Sequence, residues 1–202
     1  MLPTNQRILI GALKLFLCKN LDRVTIKDIE LATGCTRGSI FYHFDSKLHI
    51  FKEVIDNMYF IHFKDDFFSL SKDDYSLKNF FVSYANPCQR IITYIDTIKL
   101  ETTSSEKAFL HLTSQANIYY PDFSAILEKY LIHEKDIIYN FLKSKNLDSI
   151  PDERLNAISL LVTDLGYSQI LKSAFGIGTE VQLGSYYDMF FRNIGNCCTK
   201  QS

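Results

Sequence analysis

A short segment near the amino terminus carries closely spaced side chains that donate and accept hydrogen bonds. On a helix over residues 36–44, Ile40 and Phe44 would lie on one side and polar groups on the other. The polar side holds Thr36, Arg37, Gly38, Ser39, Tyr42 and His43. Hydroxyls, an imidazole and a guanidinium with donors in a fixed fork are suited to binding a polar or anionic surface.

Charge is distributed unevenly along the chain. The 202 residues include 22 Lys and Arg and 23 Asp and Glu, a formal net charge of −1. Residues 1–50 carry seven basic and four acidic side chains, whereas residues 51–202 carry 15 and 19. A modestly basic amino-terminal quarter on a mildly acidic body indicates a polyanion-binding module attached to a second part.

The elements that must position the polar segment are short helices with clear start signals. Thr25-Ile-Lys-Asp28 has the form of a capping box, in which a hydroxyl and a carboxylate bond the first N–H groups of a helix. Gly34 can adopt positive φ, and Thr36 can cap a second short helix. With a supporting helix from Thr4 to about Lys19, which Asn20 is expected to end, these elements predict a helix-turn-helix module.

Helical patterns continue through the rest of the chain. Gly (8) and Pro (4) are scarce, and apolar residues recur at intervals of three and four, which predicts an all-α chain of about nine helices. A long helix is expected to leave the module at Lys47, and Pro87, Pro121 and Pro151 each to open a later one. Thr179-x-x-Gln182 predicts a capping box for a last helix to about residue 193.

Composition excludes several classes of protein. A chain that is 47% hydrophobic, with 16 Phe and 12 Tyr, is not a disordered polyelectrolyte. No uncharged apolar run approaches the ~20 residues of a membrane span, and the first residues lack a signal-peptide pattern, so the expected compartment is the cytoplasm. The five cysteines lack metal-site spacing, so neither metal nor cofactor is expected. Cys197 and Cys198 leave a redox role open.

The amino-terminal residues resemble a known family. The shared pattern runs through Ala12-x-x-Leu15-Phe16, Thr25-x-x-x-Ile29 and Ala32-Thr33-Gly34-Cys35-Thr36-Arg37-Gly38-Ser39-Ile40-Phe41-Tyr42-His43-Phe44-Asp45-Ser46-Lys47-x-x-x-Phe51. It is similar to the DNA-binding domain of TetR/AcrR-type transcriptional regulators over about 50 residues, with Asn20, Glu30 and Cys35 as small departures. The resemblance implies a DNA-binding domain over residues 1–47 and a helical effector-binding and dimerisation domain over residues 48–202.

The resemblance further implies that the helix opening at Thr36 enters the major groove of DNA. The residues expected at the DNA are Thr25, Thr36, Arg37, Gly38, Ser39, Tyr42, His43 and Lys47. Arg37 is the expected base contact, because a guanidinium can donate to both O6 and N7 of guanine. Lys47, beside the helix start that Ser46 caps, is expected to hold a phosphate. Five of these residues also have a structural alternative: a solvated side chain for Arg37, a helix cap for Thr25 and Thr36, and a packing residue for Tyr42 and His43.

The same resemblance assigns residues 48–202 to dimerisation and ligand binding. Broad apolar stripes on the last two helices suit a two-fold interface, with the expected contacts Leu155, Ile158, Val162, Leu165, Leu183, Tyr187, Phe190 and Ile194. The middle helices are expected to enclose a pocket for an apolar or amphipathic molecule, oriented by Tyr94, Thr113, Asn117 and His133. The alternative for both sets is the core of a single chain.

Together these expectations describe a homodimeric repressor that leaves a palindromic operator in double-stranded DNA when a small effector binds. Two other classes stay open. One is a helical adaptor whose helix-turn-helix packs only against protein, and the other is an enzyme with a hydrophobic pocket. The enzyme is disfavoured because the sequence has no nucleophile–base pair at a recognisable spacing, no Gly-rich phosphate loop and no metal-ligand cluster.

Overall fold

Helices account for all the regular structure in the described part of the chain. The computed structural model describes residues 2–64, 76–83, 86–145, 147, 150–177 and 190–191. Its α-helices are α1 (Thr4–Cys18), α2 (Ile26–Thr33), α3 (Arg37–His43), α4 (Lys47–Val54), α5 (Leu77–Ser83), α6 (Pro87–Ile98), α7 (Ser105–Tyr119), α8 (Phe123–Lys143) and α9 (Asp152–Ala174). The predicted all-α fold of about nine helices is therefore confirmed over these ranges.

The chain divides into two compact units. The first comprises Met1–Lys64 with Arg90–Ile126, and the second comprises Asp65–Gln89 with Leu127–Ser202. The helix-turn-helix and α7 thus belong to the first unit. The functional boundary expected between residues 47 and 48 stays a prediction, because a compact unit need not coincide with a functional domain.

Local capping interactions set the limits of α2, α3 and α4. Thr25 Oγ1 accepts the N–H of Asp28 (3.1 Å), and the Asp28 carboxylate accepts the N–H of Thr25 (2.8 Å), so the predicted capping box is present. Gly34 ends α2 with φ of +65°, as only glycine does at little cost. The hydroxyls of Thr36 and Ser46 accept first-turn N–H groups of α3 and α4.

Two segments differ from their predictions. Asn20 does not end α1 in the left-handed conformation: its φ is −59°, and a 3-10 turn, Leu21–Arg23, follows it. The long helix expected from Lys47 ends as regular α-helix at Val54 and continues as a π turn, Ile55–Tyr59, and a 3-10 turn, Phe60–Phe63. Periodicity of three and four cannot distinguish these helix types over so few residues.

Close packing of α1 on α2 fixes the helix-turn-helix. A Cβ built on Gly11 of α1 would lie 2.3 Å from Thr33 Cγ2, so a larger residue would push the helices apart. Arg7 donates from Nη2 to the carbonyl of Thr33 (2.8 Å) and so satisfies a carbonyl at the end of α2. Ile8 and Phe16 of α1 are fully buried.

The core of the second unit uses residues that were expected at a dimer interface. Leu155, Ile158 and Val162 of α9 are buried with Phe80, Phe81, Ile138, Phe141, Leu142, Phe190 and Phe191. Their exposed fractions within a single chain are 3%, 3% and 0%. In a single chain these side chains are thus covered by other parts of the same unit, as in the intramolecular alternative, and their expected role at a dimer interface stays a prediction.

The remaining interface candidates have mixed positions. Phe190 is also buried in the same core, whereas Leu165 is half-buried. Leu183, Tyr187 and Ile194 lie outside the described residues, as do Cys197, Cys198 and most of the last predicted helix. Within the described ranges, no helix combines the length and apolar composition needed to cross a bilayer.

Candidate nucleic-acid interface

The polar face of α3 points to solvent. Tyr42 is 85% exposed, and His43, Arg37 and Gly38 are also exposed. On the opposite side, Ile40 is fully buried, and Phe44, which caps the carboxyl end of α3, is 5% exposed. Hydrophobic packing therefore anchors one side of α3 and leaves the other free. The packing alternative for Tyr42 and His43 does not hold.

Arg37 lies at the exposed start of α3. Its guanidinium carbon is 5.3 Å from the centroid of the Phe41 ring, one helical turn further on. An exposed cation–π contact of this kind contributes about 0.5–1 kcal/mol. A bidentate pair with guanine is worth about 1–3 kcal/mol of discrimination. Arg37 can therefore give up its contact with Phe41 and bind a guanine instead.

The two threonines use their hydroxyls differently. Thr25 Oγ1 accepts the N–H of Asp28 and donates to that carboxylate (2.7 Å), and these bonds from Thr25 lower the pKa of Asp28. Thr36 Oγ1 accepts the N–H of Ser39 (3.3 Å), which leaves its own proton available to donate. Both threonines are caps, but Thr36 is the better placed to bind an outside acceptor as well.

Lys47 is directed towards the protein rather than outwards. Its Nζ donates to the carbonyls of Leu21 (2.6 Å) and Val24 (2.7 Å) and lies 3.4 Å from that of Asp22. The expected convergence of Lys47 and the α4 start on one phosphate therefore needs a different lysine rotamer. In this structure the ammonium holds the turn between α1 and α2.

The expected effector residues are spread over both units. Tyr94, Thr113 and Asn117 belong to the first, and His133, an exposed residue, to the second. The Thr113 hydroxyl lies 3.1 Å from that of Tyr59, whose ring contacts Phe60, Phe63, Phe109 and Phe123. Asn117 is exposed and accepts a hydrogen bond from Ser124 (2.5 Å).

A buried histidine lies beside Tyr94. His62 is 8% exposed, its ring lies 5.5 Å from that of Tyr94, and Arg90 donates to its carbonyl. Burial, with a smaller contribution from the Arg90 charge, lowers the pKa of His62 to about 4. Burial also raises the pKa of Tyr94. Both side chains are therefore neutral near pH 7.

Three residues that support the module had not been selected as functional: Arg7 and Gly11 on α1 and Gln115 on α7. The sequence gives Gln115 one weak signal, since a polar residue occupies the apolar stripe of Ala108, Leu112 and Ala116. In the described ranges, no group of three His, Cys, Asp or Glu residues is placed to hold a metal.

Comparison with known proteins places this segment in a family. Residues 8–54 match the family described as bacterial regulatory proteins, tetR family. The HTH-type transcriptional repressor BepR of Brucella suis is 38% identical over 52 residues, which are 26% of this chain and 25% of BepR. The biofilm operon icaADBC HTH-type negative transcriptional regulator IcaR of Staphylococcus epidermidis is 31% identical over 71 residues, 35% and 38% of the two chains.

These matches span only part of the relatives, whereas a structural match spans nearly the whole chain. NalD of Pseudomonas aeruginosa, described as the secondary repressor of the MexAB-OprM multidrug efflux pump, superposes with a TM-score of 0.52 over 96% of this chain and 95% of NalD. Sequence identity is 16%, so the match concerns the fold. Residues 8–54 of this chain are therefore similar to the tetR family of bacterial regulatory proteins, and its described part shares the all-helical fold of NalD.

Proposed function

We propose that this chain is a sequence-specific DNA-binding transcriptional repressor whose α3 enters the major groove. The observation that carries the proposal is the exposed hydrogen-bonding face of α3, held outward by burial of Ile40 and Phe44. Its TetR-family segment supports the same function, because relatives over that segment are named as a repressor and a negative regulator. The proposal assigns the protein to the cytoplasm, where bacterial DNA lies.

The proposed contacts divide into base reading and phosphate binding. Arg37 is the base reader. Thr36, Ser39, Tyr42 and His43 are phosphate or base donors. Gly38 permits close approach, since a Cβ there would meet nothing within 4 Å in the free protein. Thr25 and Lys47 act mainly by shaping the module, because their polar atoms already bond within it.

Homodimerisation is part of the proposal, since two recognition helices about 34 Å apart are needed to read a palindrome. Because Leu155, Ile158 and Val162 are buried within the single chain, we place the proposed interface on the exposed face of α9. Large apolar residues at least 46% exposed lie there, namely Leu160, Leu161 and Leu171, with Phe175 just beyond the helix end.

A small apolar or amphipathic effector completes the proposal. The aromatic cluster around Tyr59 and the Thr113 hydroxyl at its edge combine apolar surface with an orienting polar group, the usual composition of a ligand site. Binding would favour a state in which the two recognition helices are spaced differently. The adaptor alternative is weaker because α3 exposes the hydrogen-bonding groups of Arg37, Tyr42 and His43. The enzyme alternative is weaker because the relatives by sequence are named as transcriptional regulators.

Mobility shifts with the DNA that flanks the chain's own gene test the proposal. The wild-type protein should retard this DNA and not a shuffled duplex at about 0.15 M salt, with affinity falling as salt rises because phosphate contacts release counterions. Retardation that is absent, or equal on both duplexes, would contradict sequence-specific binding. Salt-insensitive capture of a protein partner instead would favour the adaptor.

A further inference from the structure

The regular helix is interrupted between α1 and α2, and the helical pattern of backbone hydrogen bonds is interrupted with it. α1 ends at Cys18, and the turn Leu21–Arg23 begins three residues later. The Phe16 carbonyl belongs to the last turn of α1, and the Leu21 N–H belongs to the first residue of the turn, so neither has a regular helical partner. Both residues are buried, and a buried backbone group left without a partner costs about 1–3 kcal/mol.

Gln115 on α7 supplies both missing partners. Its Oε1 accepts the N–H of Leu21 at 2.5 Å, and its Nε2 donates to the carbonyl of Phe16 at 2.9 Å. The side chain is 4% exposed, so water does not compete for these bonds. An amide carries an acceptor and a donor on one rigid, uncharged group, which is what this pair of backbone groups requires.

The same turn is held by two further side chains. Tyr119, one helical turn beyond Gln115, donates its phenol proton to the carboxylate of Asp22. On α4, Lys47 donates to the carbonyls of Leu21 and Val24. The turn is thus bonded to α7 on one side and to α4 on the other, all within the first unit.

We propose that Gln115 is a positioning residue for DNA binding, through which α7 fixes the turn Leu21–Arg23 and with it the placement of α2 and α3. The inference rests on the proposed function. Thr25, the cap of α2, follows the turn after one residue, the buried Val24. A turn released at Leu21 would therefore let the start of α2 shift, and α3 is joined to α2 by only three residues.

Two substitutions at Gln115 and one control test the role. Gln115→Met keeps the length but removes donor and acceptor. Gln115→Glu keeps acceptors and loses the donor when ionised. Ser105→Ala is the control, because it removes a side-chain hydrogen bond to Asp96 at the other end of α7. Amide hydrogen exchange at Leu21 reports the turn without DNA, and mobility shifts report affinity.

We expect the Leu21 amide to exchange at least about tenfold faster in Gln115→Met, and specific DNA affinity to fall about tenfold, with helical circular dichroism retained; one lost bond of about 1.4 kcal/mol gives such a factor. Ser105→Ala should change neither readout. Gln115→Glu should bind DNA more weakly than wild type at pH 8 and recover towards it at pH 5.5. Burial favours the protonated carboxyl, which can again donate to Phe16.

The outcomes separate the two proposals. Unchanged exchange at Leu21 in Gln115→Met overturns the anchoring role, and faster exchange with unchanged affinity, or an equal loss in Ser105→Ala, overturns the positioning role. A wild-type chain that binds no DNA overturns the proposed function, while amide exchange at Leu21 still decides whether Gln115 holds the turn.

If Gln115→Met fails to fold, Tyr119→Phe replaces it. That variant should accelerate exchange over Leu21–Val24 and weaken DNA binding, and no change in either overturns the inference.

Discussion

His62 is a base held neutral by its surroundings, and it should make stability depend on pH. Burial and the Arg90 charge lower its pKa from 6.5 to about 4, so the unfolded chain binds the proton more readily than the folded one. Stability is then fully present above pH 6.5 and is lost as pH falls towards 4. The full shift corresponds to about 3 kcal/mol, and solvent screening reduces the expected loss to about 2 kcal/mol.

Urea unfolding of wild type and His62→Gln at pH 7, 5.5 and 4 measures this contribution. The wild type should lose about 2 kcal/mol more than the variant between pH 7 and 4. His43→Gln, at an exposed position, is the matched control and should follow the wild type. If the wild type and His62→Gln lose the same free energy of unfolding between pH 7 and 4, another group causes the loss of stability in acid.

Residue-level prediction from sequence succeeded where a side chain bonds its own neighbourhood. The capping box at Thr25, the positive φ of Gly34 and the cap at Thr36 involve partners within four residues. It failed where the partner is remote. Lys47 bonds a carbonyl 26 residues away, and Gln115 bonds an N–H 94 residues away. Local spacing carries no information about such pairs.

Replacing Gly38 in α3 and Gly11 in α1 by alanine should have opposite effects on the free energy of unfolding. Gly38 lies in α3 without positive φ and with open space at its Cβ position. Gly38→Ala should raise the free energy of unfolding by about 0.5–1 kcal/mol, since alanine loses less backbone entropy in a helix. It should also weaken DNA binding, because the added methyl would lie between α3 and the groove.

Thermal unfolding combined with mobility shifts separates these two effects. Gly11→Ala is the comparison, because its Cβ would lie 2.3 Å from Thr33 Cγ2, and it should destabilise the chain by about 1–3 kcal/mol. If Gly38→Ala is stabilised and binds DNA as tightly as wild type, α3 does not approach the duplex at Gly38. If Gly11→Ala is as stable as wild type, the α1–α2 contact is looser than described.

The approximate number and extent of the helices could be predicted from the sequence. Which face of a helix is buried could not. The predicted apolar stripe of α9 includes Ile158, which packs inside the chain, and Leu165, which is half-buried, whereas the exposed Leu171 was not among the predicted contacts. Hydrophobicity alone does not say whether the same chain or a second copy covers a face. The two interpretations separate only when α5 and α8 are in place against Leu155 and Val162.

At the scale of the whole molecule, the outer face of α9 should govern self-association. Leu161→Glu with Leu171→Glu places two charges on exposed positions and should convert a dimer into a monomer of unchanged helicity. Analytical ultracentrifugation measures the mass, and Leu31→Glu, at an exposed site on α2, is the control. A double variant that remains dimeric would show that another surface joins the two copies.

Selection of binding sites from random double-stranded DNA tests the central claim most directly. The wild-type chain should enrich a two-fold symmetric sequence with half-sites about one helical turn apart. Arg37→Ala should enrich the same symmetric site with one base preference per half-site weakened, by about 1–3 kcal/mol. No enrichment by the wild type at moderate salt, or a motif unchanged by Arg37→Ala, would contradict reading of DNA by α3.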